Sequence, residues 1–374
     1  MRLFIVSDIL PYRRVLIALA LLLVCLLLSA CTVKDDPEAM FDNYLYRLGN
    51  SLQLDTFDDI DFREQVEYAL AGLPRYPKGD LLRYETTRET ISLLAFLRLS
   101  RCELQRHIGA RNSSLGRVMG STQQLYYDIT FIVLAKRCIA LLEHDGVDVP
   151  DDQDLVRLRS VLQMKQGDLS ERFWNATFAS AEFKTLFSLG AKPLTHSQAK
   201  ETIDTLNDAL LTLIKFNEQL PALLVAESPV DVSYLEQSYA LIGASKRLGQ
   251  LRLSMRLISV YLSFADQLLQ QRIAHKPLCY QRSPSRQFTI VNTVFTRYYI
   301  GEVQPYLSKI HQQSRKLLLS LEQLQAPQQT TTAFANFWQA VYLSEAGEWQ
   351  HFQDAIAVHT QHWQSLLRQC GRLP

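Results

Sequence analysis

The sequence predicts an all-α fold, an elongated multi-helix bundle with long antiparallel helices, preceded by a lipoprotein signal peptide. Apolar residues recur with the 3.6-residue period of amphipathic helices along most of the chain, whereas runs of alternating β-branched residues are few. Hydrophobic residues make up 47% of the 374 residues, which is enough to bury a substantial core. The second half also carries two heptad seams, which are typical of long packed helices.

In the first half of the chain, capping and turn residues mark the expected helix ends. Asp36 precedes Pro37, which places an N-cap before a first-turn proline. Residues 73–79 contain two prolines and a glycine and are expected to interrupt the helices. Residues 87–108 are apolar nearly all round in their first half, which predicts a buried central helix. The helices expected here cover residues 37–48, 58–71, 87–108, 122–142 and 154–165, followed by a mixed stretch at 169–192.

Two long helices are expected in the second half, because apolar residues alternate there by three and four positions. The seams consist of Leu241, Ala244, Leu248, Leu251, Met255, Ile258, Leu262, Ala265 and Leu269, and of Ile300, Val303, Leu307, Ile310, Ser314, Leu317, Leu321 and Leu324. Residues 276–286 contain two prolines, so the helices are expected to fold back as an antiparallel hairpin, with kinks at Gly301 and Pro305 in the second. A helix of about 40 residues is about 60 Å long. Other helices are expected at residues 195–220, 331–344 and 349–370.

The first thirty residues predict a bacterial lipoprotein signal. Three arginines precede an apolar run at residues 15–28, and the run ends in Leu28-Ser29-Ala30-Cys31, the lipobox pattern. Small residues before the cysteine admit the extended chain to a signal peptidase, and the Cys31 thiol accepts a diacylglycerol. A helix over the apolar run would cover only about 21 Å of a hydrocarbon core of about 30 Å, which disfavours a membrane-spanning segment.

The expected domain organisation follows from this cleavage. Residues 1–30 form the signal peptide, residues 31–36 a lipidated tether, and residues 37–374 an all-helical periplasmic domain with a candidate subdivision near residue 193. The only non-protein group expected is the covalent diacylglycerol and N-acyl lipid on Cys31. Thr32 follows the anchor, whereas an aspartate there signals inner-membrane retention in Gram-negative lipoproteins. The predicted location is therefore the periplasmic face of the outer membrane, with the inner membrane less favoured.

The charge balance disfavours nucleic-acid binding. The 39 basic and 38 acidic side chains lose three arginines and one aspartate with the signal peptide, which leaves a net charge of about −1. A chain this close to neutral lacks the basic field that a phosphate backbone requires, so no nucleic-acid partner is expected.

Four cysteines remain once Cys25 leaves with the signal and Cys31 is acylated. An even number in an oxidising compartment predicts disulfides, and no cysteine or histidine spacing indicates a metal site. Three pairings are open. The sequential one, Cys102 with Cys138 and Cys279 with Cys370, is favoured because it respects the expected subdivision of the chain. Cys102 and Cys138 lie at unequal distances in sequence from the turn at residues 112–116, so their pairing requires a wide or partly unwound connection between the two helices. The four are Cys102, Cys138, Cys279 and Cys370.

Two segments carry a resemblance to a known family. Residues 111–119, Arg-Asn-Ser-Ser-Leu-Gly-Arg-Val-Met, and residues 174–180, Trp-Asn-Ala-Thr-Phe-Ala-Ser, are similar to a family of uncharacterised Gram-negative lipoproteins classed as a domain of unknown function. The likeness covers most of the mature chain. It implies the envelope compartment, and it implies no activity, cofactor or catalytic residue.

The same two segments contain candidate ligand-binding residues. Two guanidinium groups with neighbouring hydroxyls can grip a carboxylate or phosphate, such as a lipid headgroup or a cell-wall peptide. The same residue types also cap helix ends and satisfy buried carbonyls, and turns favour Asn, Ser and Gly without any ligand. The candidates are Arg111, Asn112, Ser113, Ser114, Arg117, Trp174 and Asn175.

Two other patterns are weaker indications of chemistry. Residues 197–200 match the Ser-x-x-Lys of penicillin-recognising serine enzymes, but the companion motifs are missing and Thr195 with Gln198 forms an ordinary capping box. The last helix carries three histidines without a metal-ligand spacing, and these are expected to be solvated positions between core residues. No catalytic residue and no metal ligand are therefore assigned. The histidines and their acidic neighbours are His351, His359, His362, Glu345 and Glu348.

Three function hypotheses follow, and none fixes the oligomeric state. The first is a non-enzymatic, lipid-anchored helical module that binds an envelope protein partner, because long helices with polar outer faces make docking surfaces. The alternative is an envelope hydrolase or a small-ligand or lipid-binding protein with a site near Arg111 and Arg117. A cleft in which those arginines converge with a carboxylate or hydroxyl would favour the alternative. A purely structural spacer has only the elongated shape in its favour.

Overall fold

Helices account for the regular secondary structure in the described part of the chain. The computed structural model describes residues 35–54, 59–86, 96–97, 99–144, 152–225 and 231–372, and no β-strand forms within them. The predicted all-α multi-helix bundle with long helices is confirmed. Cys31, the signal peptide and residues 87–95 of the expected central helix lie outside the described residues. Within these ranges, no helix combines the length and apolar character needed to cross a membrane.

The first half of the chain folds largely as expected, with one correction. The Asp36 side chain accepts the Glu38 N–H at 3.0 Å and caps the first helix, as its position before Pro37 predicts. The expected helix at residues 87–108 is wrong in its second half, because a 3₁₀ turn and the extended backbone of Cys102 interrupt it. The helices are α1 (Pro37–Leu52), α2 (Asp59–Ala71), α3 (Gly79–Leu82), α4 (Glu103–Asn112), α5 (Ser114–Arg117), α6 (Ser121–His144), α7 (Asp152–Gly167), α8 (Leu169–Ala176) and α9 (Ala181–Leu186).

The second half contains the two longest expected helical runs, and two of its expected helices are divided. An extended Glu201 splits the helix expected at residues 195–220, and an extended Ser245, whose hydroxyl accepts the Arg247 N–H, splits the first heptad seam. The second seam is continuous over residues 286–325 through a π-helical segment, Phe295–Val303, that contains Gly301. The helices are α10 (His196–Lys200), α11 (Asp204–Val225), α12 (Tyr234–Ala244), α13 (Arg247–His275), α14 (Arg286–Val294), α15 (Gln304–Gln325), α16 (Thr332–Trp338) and α17 (Glu348–Arg368).

The hydrophobic core consists of a large cluster and a smaller one. In the large cluster α13 packs against α1, α2, α15 and α17, and residues from both sides of position 193, where a subdivision is expected, contribute to it. The smaller cluster lies where α4, α6 and α7 pack together. Its members are Leu99, Cys102, Leu104, Ile108, Phe131, Leu134, Ala135, Cys138, Ile139, Leu158 and Val161.

Each disulfide joins two cysteines that are consecutive among the four, which is the sequential pairing. Cys102 pairs with Cys138 at a Cα–Cα distance of 5.4 Å, and Cys279 pairs with Cys370 at 5.1 Å. The first bond ties the start of α4 to α6 inside the smaller cluster, and the break at Cys102 supplies the unwound connection that this pairing requires. The second bond ties the loop after α13 to the end of the chain's last helix.

A polar network crosses the large cluster. His359 is fully buried and its Nδ1 lies 2.7 Å from Asp266 Oδ1, so this nitrogen carries the proton that the carboxylate accepts. The other ring nitrogen lies 2.9 Å from the Tyr44 hydroxyl, which also accepts the Trp363 indole N–H at 2.9 Å. His362 Nδ1 lies 3.0 Å from the same Asp266 oxygen. The network therefore links α1, α13 and α17.

The expectation that the histidines of the last helix are solvated is wrong for His359. It follows Phe352 by seven residues and precedes Trp363 by four, so the helical repeat places it on the buried face with them. His351 is exposed, as expected.

A buried ion pair fixes the linker that follows α2. Arg252 of α13 is fully buried, and its Nε donates to Glu348 Oε2 at 2.8 Å. A terminal nitrogen of the same guanidinium donates to the Pro74 carbonyl at 2.6 Å. One arginine thus joins α13, α17 and the linker at residues 73–78.

Replacing Glu348 by glutamine should lower the free energy of unfolding by about 3 kcal/mol, because the buried Arg252 charge loses its counter-ion. Urea denaturation followed by circular dichroism, with the disulfides intact, measures this loss. Lys316→Gln, at the exposed pair that Lys316 forms with Asp204, is the matched control and should leave the midpoint unchanged. Equal losses in the two variants would contradict the structural role of the buried pair.

Candidate functional site

A large cavity opens beside the smaller hydrophobic cluster. Its volume is about 1140 Å³, which exceeds the roughly 300–1000 Å³ usual for small-molecule sites. Its walls come from α4, α6, α7 and the segment that follows α3. The cavity therefore has room for a ligand larger than a single small ion.

Positive charge exceeds negative charge in the described lining of this cavity. Three carboxylates, from Glu85, Asp128 and Asp154, face the same space as a larger set of cations. The cations are Arg83, Arg111, Arg117, Arg157, Lys165 and Arg172. Because a concave protein wall focuses the field of such charges, the cavity attracts anions.

Helical periodicity brings the side chains of α6 and α7 to the cavity. On α6 the lining residues Gln124, Asp128 and Phe131 follow one another by three or four positions, so they share one face of the helix. The same spacing recurs on α7, where Arg157 and Lys165 lie on one face. The disulfide and the packing of α4 on α6 hold these walls together.

The buried carboxylate of Asp128 organises the cationic wall. It is 3% exposed and lies within ion-pair distance of Lys165 Nζ and, at 2.8 Å, of Arg172 Nε. Arg172 also donates to the Gln124 amide oxygen at 3.1 Å. An ammonium group has three N–H donors and a guanidinium five, so these contacts use only part of the donor capacity of the two cations.

Tyr127 adds an aromatic surface to the cavity without adding charge. Lys165 Nζ lies 5.5 Å and the Arg111 guanidinium 6.0 Å from the centre of its ring. Burial raises the pKa of Tyr127, and the neighbouring Asp128 carboxylate raises it further. The phenol therefore stays protonated at neutral pH, and the positive excess of the cavity is preserved.

The loop at residues 111–117 is shaped by capping interactions. The Ser113 hydroxyl accepts the Gly116 N–H at 3.0 Å and donates to the Ala110 carbonyl at 2.7 Å, which ends α4 and begins α5. Arg111 donates to the Gly116 carbonyl. A Cβ atom at Gly116 would collide with the carbonyl oxygens of Ala110 and Arg111, so only glycine fits this close approach. The Arg117 side chain is exposed and makes no hydrogen bond or ion pair to the described residues.

The structure brings four of the seven expected binding residues to the cavity, namely Arg111, Asn112, Arg117 and Asn175. Ser113 serves as a cap, and Ser114 does not line the cavity.

The two candidates from residues 174–180 have different positions. Trp174 is buried in the large cluster, and its indole N–H donates to the Leu82 carbonyl at 2.6 Å. Asn175 lines the cavity and holds its wall, because its amide accepts the Tyr84 N–H at 2.9 Å and donates to the Tyr84 carbonyl at 2.8 Å. The tryptophan is therefore a packing residue and the asparagine a cavity residue.

Sequence reasoning missed Arg83, Asp128, Lys165 and Arg172. One signal was available, because Asp128 is the only acidic residue of α6 before Glu143, in a helix that is otherwise mainly apolar. A lone carboxylate of this kind is buried only when cations pair with it. The identity of those cations depends on how α6, α7 and α8 pack.

The Ser-x-x-Lys pattern forms a helix cap. The Ser197 hydroxyl donates to Asp35 at 2.6 Å and its N–H donates to the same carboxylate at 2.7 Å, which lowers the pKa of Asp35. Thr195 and Gln198 form the expected capping box, and Lys200 is exposed. Ser197 thus binds a residue of the expected tether.

Among the described residues, no group of three or more histidine, cysteine, aspartate or glutamate side chains is arranged to hold a metal ion. Of the acidic neighbours considered above, Glu348 is engaged by Arg252 and Glu345 is exposed.

Asp128→Asn should lower the free energy of unfolding by about 2 kcal/mol, because Lys165 and Arg172 lose a shared, buried charged acceptor. Chemical denaturation with urea measures the change. Glu143→Gln removes an acidic group from the exposed end of the same helix and should have no measurable effect. A wild-type stability in Asp128→Asn would show that the carboxylate does not hold the two cations.

Comparison with known proteins identifies the family and nothing finer. No curated protein and no solved structure matches the chain. The model of a family described as "Protein of unknown function (DUF3080)" matches residues 41–374. The match includes the smaller hydrophobic cluster, all of the large one except Met40, and the whole described lining of the cavity. The chain therefore belongs to the DUF3080 family of proteins of unknown function.

Proposed function

We propose that the protein is a lipid-anchored envelope protein that binds an anionic ligand, through a phosphate or carboxylate group, in the cavity between α4, α6 and α7. The observation that carries the proposal is the convergence of six cationic side chains and three carboxylates on one cavity. This convergence favours ligand binding near Arg111 and Arg117 over a protein-docking surface on the outer helix faces.

The cations come from separate segments, which makes the cavity a composite binding surface. Arg83 follows α3, Arg111 ends α4 and Arg117 ends α5. Arg83 donates to the Ser121 hydroxyl at 2.8 Å, which directs its guanidinium toward the start of α6. Planar guanidinium groups suit phosphate and carboxylate oxygens because they donate in pairs.

The arrangement supports binding rather than turnover. A general base needs an acceptor atom that is open to a substrate proton and a pKa tuned by burial; Asp128, the buried carboxylate of the lining, is occupied by Lys165 and Arg172, and Glu85 is exposed. The Ser121 hydroxyl is likewise engaged by Arg83. No histidine or cysteine belongs to the described lining.

The proposed anchor is the lipidated Cys31. The lipobox supports it, and two disulfides are typical of an oxidising compartment such as the periplasm. Asp35 is bound to Ser197, so only residues 32–34 separate the anchor from the body, at most about 14 Å of extended chain. The face that carries α10 would then lie near the bilayer. We place the protein at the periplasmic face of the outer membrane because Thr32, not aspartate, follows Cys31.

Isothermal titration of the full chain with glycerol 3-phosphate should give saturable binding that weakens as salt is added. The double variant Arg83→Gln with Arg117→Gln should bind at least about tenfold more weakly, since each lost charged hydrogen bond contributes about 1.5 kcal/mol or more.

Arg315→Gln is the matched control for this titration, because Arg315 is exposed and lies outside the cavity lining. It should retain wild-type affinity. Binding that is absent in the wild type, or lost equally in the control, would contradict the proposed function.

Metabolic labelling with radioactive palmitate in a Gram-negative host tests the anchor. The wild-type chain should be labelled and recovered with outer-membrane fractions, whereas Cys31→Ala should be unlabelled and keep its leader. Cys25→Ala changes a cysteine of the predicted leader and should be labelled like the wild type. An unlabelled wild-type chain would refute lipidation while leaving the cavity argument untouched.

A further inference from the structure

We propose that the anion bound in this cavity is the head of an amphiphile, whose alkyl or acyl tail packs on the apolar part of the same cavity. The inference rests on the anion-binding function proposed above and names the class of ligand. The observation behind it is that one cavity combines a cationic wall with an apolar wall.

The apolar wall is built from the smaller hydrophobic cluster. Its side chains come from the 3₁₀ turn before α4, from α4 itself, from α6 and from α7. All of them belong to that cluster or pack against it. They are Leu99, Ile108, Phe131, Leu158, Val161 and Met164.

Charged and apolar groups lie within one helical turn of each other on two helices. On α6, Phe131 follows Asp128 by three residues. On α7, Val161 and Met164 lie between Arg157 and Lys165. A ligand whose head reaches the cations is therefore next to the apolar wall.

The size and polarity of the cavity favour such a ligand over a bare anion. A volume of about 1140 Å³ greatly exceeds that of a phosphate group, which by itself would leave most of the cavity unfilled. Removal of apolar surface from water is favourable in proportion to the area covered. A hydrocarbon tail on the ligand gains this free energy by packing on the apolar wall, whereas a polar extension of the ligand does not.

The cavity rim has the same amphipathic character. Arg117 lines the cavity and is exposed to solvent, so it lies where the cavity opens. Leu115 and Val118, which flank it in sequence, are 78% and 76% exposed. Two exposed apolar side chains therefore lie within two residues of a cation of the cavity lining.

Equilibrium dialysis of the purified full chain against radiolabelled alkyl phosphates, each below its critical micelle concentration, tests the inference. Each additional buried methylene should raise the affinity up to about fourfold, so dodecyl phosphate should bind at least about 100-fold more tightly than butyl phosphate. Competition by dodecanoate would show that a carboxylate head group also binds, and a lack of competition would assign the head group to phosphate. Both results support the same hydrocarbon tail.

The outcomes separate this inference from the proposed function. Equal affinities for butyl and dodecyl phosphate would overturn the amphiphile and leave an anion-binding protein. Absence of binding for every alkyl phosphate would overturn both.

Two variants of α7 locate the tail. Met164→Gln should weaken dodecyl phosphate at least about tenfold and butyl phosphate less, because the longer chain buries more apolar surface. Val156→Gln is the matched control, since Val156 is 61% exposed on the same helix and lies outside the cavity lining. An unchanged affinity of Met164→Gln for dodecyl phosphate, or an equal loss in the control, would overturn the assignment of the tail to this wall. Near-ultraviolet circular dichroism verifies that each variant is folded.

Discussion

Charged side chains inside a helical bundle must be paired, because transfer of an isolated charge from water to a protein interior is strongly unfavourable. The large cluster meets this constraint at two places. Arg252 is matched by Glu348, and the buried carboxylate of Asp266 accepts the Nδ1–H of His359. The cavity beside the smaller cluster meets it only in part, because its described lining holds six cations against three carboxylates. The proposed anion binding depends on this excess of positive charge.

Asp128 orders the cationic wall of the cavity and cancels only part of its positive charge. Its carboxylate fixes one cation from α7 and one from α8 in a single wall, and it neutralises only part of their charge. The disulfide between Cys102 and Cys138 holds α4, which carries Arg111, against α6. A preorganised arrangement of this kind reduces the entropy that is lost when a ligand is bound. The contacts that stabilise this part of the molecule are therefore also the ones on which the proposed binding depends.

Much of the architecture could be predicted from sequence, because helical periodicity is a local property. The start of α1, the long helical run through Gly301 and the capping box at Thr195 were all expected on that basis. The breaks at Cys102 and Ser245 were not, because an interruption of one or two residues leaves the apolar spacing on either side intact. Caps and disulfides override local propensity at such positions.

The candidate site was predictable only in part, since its residues come from distant segments. Arg111 and Arg117 were found because they lie in one donor-rich loop. Lys165 and Arg172 were not, because their role depends on Asp128, which is adjacent to them only in the folded bundle. Trp174 was misassigned because composition alone does not distinguish a buried aromatic residue from one that lines a cavity.

The most direct measurement for the central claim is a crystal structure of the protein grown with tungstate, a phosphate analogue whose anomalous scattering locates it without ambiguity. Binding of an anion by the cations of this lining requires anomalous density in the cavity, within hydrogen-bond distance of at least two of the arginines that line it. Density confined to other surfaces, with the cavity occupied by water alone, would contradict that claim.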